Sequence, residues 1–70
     1  MDIRYSYHAR IRMAERGIKE AEIAAAIADP EIRYTDHKGN HVLIRTLGGR
    51  RIKVVVAKDS DPPQVITTGD

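Results

Sequence analysis

The stretch that decides the fold is residues 41–57, HVLIRTLGGRRIKVVVA. It holds two runs of β-branched and aliphatic residues, 41–47 and 51–57, on either side of Gly48-Gly49. Paired glycines accept the positive φ angles of a two-residue hairpin turn, so the two runs read as adjacent antiparallel strands. Downstream, DSDPP at 59–63 is a wider loop, and QVITT at 64–68 is a further strand. Upstream, HKGN at 37–40 is a looser turn, preceded by the strand EIRYT at 31–35. The second half of the chain is thus expected to form a four-stranded antiparallel meander.

The alternation of side chains assigns faces. Ile52, Val54 and Val56 point one way, and Arg51, Lys53 and Val55 the other. Val42, Ile44 and Thr46 share one side, and His41, Leu43, Arg45 and Leu47 the opposite one. Ile32 and Tyr34 oppose Arg33. Burying the Ile/Val side leaves Arg33, Arg45, Arg51 and Lys53 together on the open face. Four cations there suit a phosphate backbone. An open antiparallel sheet also needs a polar side simply to meet water, and these residues supply it.

The first half has helical texture. Ser6 is a good N-cap for a first helix, and Gly17 can take its left-handed C′ position, bringing Ile18 onto Met13. A second helix runs from about Glu20 to Ala28 with Ile23 and Ile27 as its apolar stripe. Lys19 is a weak N-cap for it, and Asp29-Pro30 stops it. Residues 2–7, DIRYSY, form a short strand or an extended lead-in. The expected class is α+β, a single domain over residues 1–70, with an N-terminal helical hairpin packed on a four-stranded antiparallel sheet.

Composition narrows the function. Seventy residues, 41% hydrophobic, allow one core. Without cysteine there is no disulfide frame or thiolate zinc site, which fits a reducing compartment. No apolar run is long enough to span a bilayer and no signal pattern opens the chain, so a cytoplasmic domain without membrane contact is expected. The net charge of +2 is uneven. Residues 32–58 carry seven Lys and Arg against Asp36, or +6, while residues 19–31 and 59–70 carry −3 each. A basic middle third suggests an anionic partner, with scattered surface charge as the plainer account.

One constellation bears on chemistry. In HARIRMAERGI, residues 8–18, His8, Arg12 and Arg16 recur at steps of four and share one helical face. The positive helix end and Arg12 both disfavour an imidazolium at His8, leaving the ring ready to accept a proton. Arg12 and Arg16 can bind a phosphate and stabilise charge that grows on it. A bound anion would offset the repulsion along the stripe. The structural alternatives are a capping or packing histidine, and arginines paired with Glu15, Glu20 or Asp29. Arg10 reads as plain surface. Tyr5, Tyr7 and Tyr34 read as core-edge residues. His37, Asp36 and His41 match no strong metal signature, and neither a metal nor another cofactor is expected.

The stretch S-x-H-A-R-x-R-M-x-x-R-G-I resembles the DUF4258 domain family. Nearly the whole chain follows suit, through the D-P-E break, the basic hairpin, R-R-I-K-V-V-V-A and the closing V-I-T. That family is similar to RelE/BrnT-type toxins, metal-independent ribonucleases with helices on an antiparallel sheet. The resemblance implies a RelE-like fold, with His8, Arg12 and Arg16 as candidate catalytic residues. It also implies RNA and an acidic antitoxin-like protein as partners. Two positions depart from the pattern. Lys53 stands where members often carry histidine, and no aromatic follows I-T where many members have one. The expectation is a toxin-like RNA-binding protein, with endoribonuclease activity as its sharper form. Arg33, Arg45, Arg51 and Lys53 would bind nucleic acid. The alternative is a non-catalytic interaction module for protein or nucleic acid, in which homodimerisation through an exposed strand edge is one outcome.

Overall fold

The hairpin forms as its glycines require. In the computed structural model, which describes residues 2–70, Gly48 and Gly49 take φ angles of 58° and 79°, and Leu47 lies opposite Arg50. Among the described residues the elements are β1 (Arg4–Tyr5), α1 (Tyr7–Arg16), α2 (Glu20–Ala28), β2 (Ile32–Thr35), β3 (His41–Leu47), β4 (Arg50–Val56) and β5 (Gln64–Gly69). They form an α+β domain of two helices and one sheet in the order β1-β5-β4-β3-β2.

The sheet differs from the expected four antiparallel strands. It has five strands and is mixed, because β1 adds to the edge of β5 in parallel. Arg4 N–H donates to the Pro63 carbonyl at 2.8 Å, and Ser6 N–H to that of Val65 at 2.9 Å. Ile3 and Tyr5, on either side of Arg4, pack on the core and hold this short strand in place. The helical pair lies on one sheet face, α1 over β5 and α2 over β4 and β3.

Local signals explain both helices. The Ser6 hydroxyl accepts Ala9 N–H at 3.0 Å, capping α1. At the other end Gly17 adopts φ 64°, and both its N–H and that of Ile18 reach the Met13 carbonyl. Lys19 offers no side-chain cap to α2, but the Glu22 carboxylate accepts Lys19 N–H at 2.9 Å, which supplies half of a capping box. Asp36 Oδ1 accepts both Lys38 N–H and Asn40 N–H at 2.9 Å, organising the turn at 37–40.

The faces of β3 and β2 are the reverse of those expected. A two-residue turn that sets Leu47 opposite Arg50 must set Arg45 opposite Ile52 and Leu43 opposite Val54. Leu43 therefore joins Ile52, Val54 and Val56 in the core beneath Ile23, Ala26 and Met13. Val42, Ile44, Ile32 and Tyr34 fall on the open face instead. The apolar run Val42-Leu43-Ile44 fits either side, so turn geometry decided the register.

Glu31, just before β2, accepts Thr46 N–H, and this hydrogen bond is the main reason its carboxyl is held below the usual carboxylate range. A group depressed on folding contributes stability above its unfolded value, and the contribution fades as pH falls through the carboxylate range, about 4. Glu31→Gln should lower the urea midpoint at pH 7, and the gap from wild type should close on acidification. Ile52 is fully buried at the centre of the core. Ile52→Ala should cost about 3 kcal/mol in urea unfolding, with the same fold by circular dichroism.

Candidate functional site

The cationic stripe of α1 is anchored through Ser6. Its hydroxyl accepts the Ala9 N–H and donates to the Ile66 carbonyl of β5 at 2.7 Å. Ile66 lies at a register shift, where Val55 faces Thr67 but Val56 faces Val65. One hydroxyl thus caps the helix and ties its first turn to an irregularity in the strand. Ala9 and Met13 face the core, so His8, Arg12 and Arg16 fall beside that contact line. His8 is exposed, and its side chain makes no hydrogen bond with the described residues.

The two arginines are partly neutralised by the protein. Half-buried Arg12 lies 3.9 Å from Glu15, and its Nε donates a long bond of 3.5 Å to the Thr68 carbonyl. Arg16 lies 3.9 Å from Asp70. These partners relieve the like-charge repulsion at steps of four, and all are exposed enough for an incoming anion to compete. Arg12 also reaches β5, where its guanidinium is 3.7 Å from the Cβ position at Gly69. Gly69 is the register partner of Lys53. Arg12 of the helical stripe therefore reaches the β5 position that pairs with Lys53 of β4.

The expected four-cation face is split by the reversed register. Arg51 and Lys53 are exposed on the open side. Arg45 lies on the helix side and is used structurally, donating to the Asp29 carbonyl at 2.8 Å and its carboxylate at 3.0 Å, which caps the end of α2. Arg33 is on the helix side too. With His41 it lines an open groove of about 680 Å³ over Leu43 and Val56, beside β2.

Three residues play parts the sequence reading passed over. Arg10 is not plain surface: it pairs with Glu20 at 3.2 Å, and its guanidinium stacks 4.4 Å from the Tyr5 ring centre. Arg50 donates to the Gly17 carbonyl at 3.2 Å, to the Arg16 carbonyl and to Asp70 at 2.9 Å, closing the C-terminus of α1. Tyr7 is no core-edge residue. It is 83% exposed beside His8, because Ser6 and Ala9 take the inward positions of that turn. The proximity of Arg50 to Gly17 follows from topology and leaves no local signal. Tyr7 was legible from its offset to Ala9 and Met13.

Among the described residues no three His, Asp or Glu side chains cluster closely enough for a metal ion, and no helix is long and apolar enough to cross a membrane. A family model described as "Domain of unknown function (DUF4258)" matches residues 5–70. No curated protein and no solved structure matches the chain.

Ser6→Ala removes the cap and the tie to Ile66 together. It should cost about 1–2 kcal/mol in chemical denaturation, and hydrogen exchange should speed up first in residues 7–10.

Proposed function

The chain belongs to the DUF4258 family, and on that premise we propose that it is a toxin-like RNA-binding protein acting as a metal-independent endoribonuclease. The observation that carries this reading is the junction at the β5 edge. There an exposed imidazole lies on the same helical face as two arginines, and Arg12 reaches Gly69, the register partner of Lys53. In this reading His8 takes the proton of a ribose 2′-hydroxyl. The 2′-oxygen bonds to the adjacent phosphorus, and the bond to the 5′-oxygen breaks. The products are a 2′,3′-cyclic phosphate and a 5′-hydroxyl, whose proton comes from water. Arg12 and Arg16 hold the phosphate and stabilise the charge it gains, with cations standing where a metal would otherwise serve. Arg51 and Lys53 extend the phosphate track onto the open face. Arg33 and Arg45, on the other side of the sheet, have no part in it.

The resemblance to RelE/BrnT-type toxins supports the same reaction. It would place the protein in the cytoplasm with an acidic antitoxin-like partner. Lys53, where relatives often carry histidine, would act as a phosphate-holding cation and not as a second proton carrier.

The test is incubation of the purified protein with labelled total RNA, with and without EDTA. Cleavage should persist in EDTA and leave cyclic phosphate ends. His8→Ala should slow it by about a hundredfold or more while leaving binding intact. Arg12→Ala should weaken binding and cleavage together. Wild-type cleavage by His8→Ala would overturn the assignment of the base. Salt-sensitive binding without any cleavage would favour the non-catalytic reading, which the apolar open sheet face also supports.

A further inference from the structure

The helices cover one side of the sheet, and the other side carries an apolar block. Ile32 is 41% exposed and Tyr34 46% exposed, both on β2. Their register partners are Ile44 and Val42, and Val42 in turn pairs with Val55 of β4. Ile32, Tyr34 and the half-buried Ile44 and Val55 form one contiguous surface across three strands, with Val42 buried among them at 2% exposure, separate from the core cluster beneath the helices. The solvent side of an antiparallel sheet is ordinarily polar. A continuous apolar patch on so small a domain marks a surface that something covers.

Charge identifies the occupant. Lys53 sits next to Ile44 in the same cross-strand row, and Arg51 lies one row beyond, opposite Thr46. No register position on this side of β2–β5 carries a carboxylate. Glu31, adjacent to Ile32, is engaged with Thr46 N–H. The block is therefore bordered by Lys53 and Arg51, with Glu31, already engaged and within reach of the Arg51 charge, as a carboxylate at its end. A second copy would bring the same cations and, for a carboxylate, only a Glu31 that Thr46 N–H already holds. Nucleobases need flat aromatic faces to stack on, and four of these five side chains are aliphatic.

We propose that the open face of β2–β4 is the docking surface for a protein segment with an apolar stripe flanked by carboxylates. Its apolar residues would cover Ile32, Tyr34, Ile44 and Val55, and its carboxylates would meet Lys53 and Arg51. Such a segment occupies one end of the phosphate track proposed above, so its binding would compete with RNA there. The docking surface itself is independent of whether His8 cleaves anything.

The test uses amide chemical shifts of the intact protein and three probes. These are a synthetic amphipathic helical peptide with leucines on one face and flanking glutamates, the same peptide with lysines for glutamates, and a single-stranded RNA oligonucleotide. The glutamate peptide should move the signals of Ile32, Tyr34 and Val42. Lys53→Glu should weaken it about tenfold, and the double variant Ile32→Thr/Tyr34→Thr should abolish it. All three substituted positions are exposed, and circular dichroism checks that each variant is folded. His8→Ala should leave peptide binding unchanged, so failure here is distinct from failure of the ribonuclease reading. Equal binding of both peptides, or of neither, overturns the proposal. So does movement of these signals by RNA alone, which marks a nucleic-acid surface, or on dilution of the free protein, which marks a second copy.

Discussion

A two-residue turn governs this molecule. Gly48 and Gly49 admit no slack between β3 and β4, so every odd-numbered residue of β3 lies opposite an even-numbered residue of β4. Side chains opposite each other share a face. The turn therefore sends Leu43 into the core with Val54 and turns Val42 and Ile44 outward. Through the β2 pairing it also turns Ile32 and Tyr34 outward and brings Arg33 to the helix side. One residue more in that loop would exchange the two faces of β3, taking Leu43 out of the core and Arg45 away from Asp29.

The stripe on α1 depends on two polar ties at the ends of the helix. Ser6 caps its start and binds it to β5, and Arg50 closes its last carbonyls while meeting Asp70 and, at 3.9 Å, Glu22. Between these ends only Ala9 and Met13 are buried, so α1 is held more by its termini than by a wide apolar face. That leaves most of its surface, including His8, Tyr7 and Ile11, free to meet another molecule. The repulsion along the stripe is relieved by Glu15 and Asp70 at distances where solvent still screens the pairs.

Elements set by local chemistry were legible in the sequence. The caps at Ser6 and Gly17, the span of α2, the glycine turn and the Asp36 turn are all sites where a few neighbouring residues decide the backbone. Features set by pairing were harder to read. The apolar run Val42-Leu43-Ile44 supports either face, and only counting through the turn resolves it. The parallel addition of β1 depends on Ile3 and Tyr5 finding a core built mostly by residues far along the chain. The same distinction holds for the candidate site. The spacing of His8, Arg12 and Arg16 was plain, whereas the approach of Arg12 to Gly69, the register partner of Lys53, is a product of the whole topology. Arg45 shows the limit of reading charge alone, since a cation on a strand became the cap of a helix.

The pairing of β1 and α1 with β5 has a kinetic consequence. The Ser6 hydroxyl and the Ile66 carbonyl it reaches are sixty positions apart, whereas β2, β3 and β4 join through short turns. Closing a long loop costs entropy before any contact repays it, and distant pairings of this kind slow folding. The meander can form from near neighbours, but α1 has no surface to rest on until β5 is in place. The helix that bears the His8 stripe therefore depends on the least local contacts of the fold. A partly folded chain can own a complete hairpin and still lack the stripe's position beside β5.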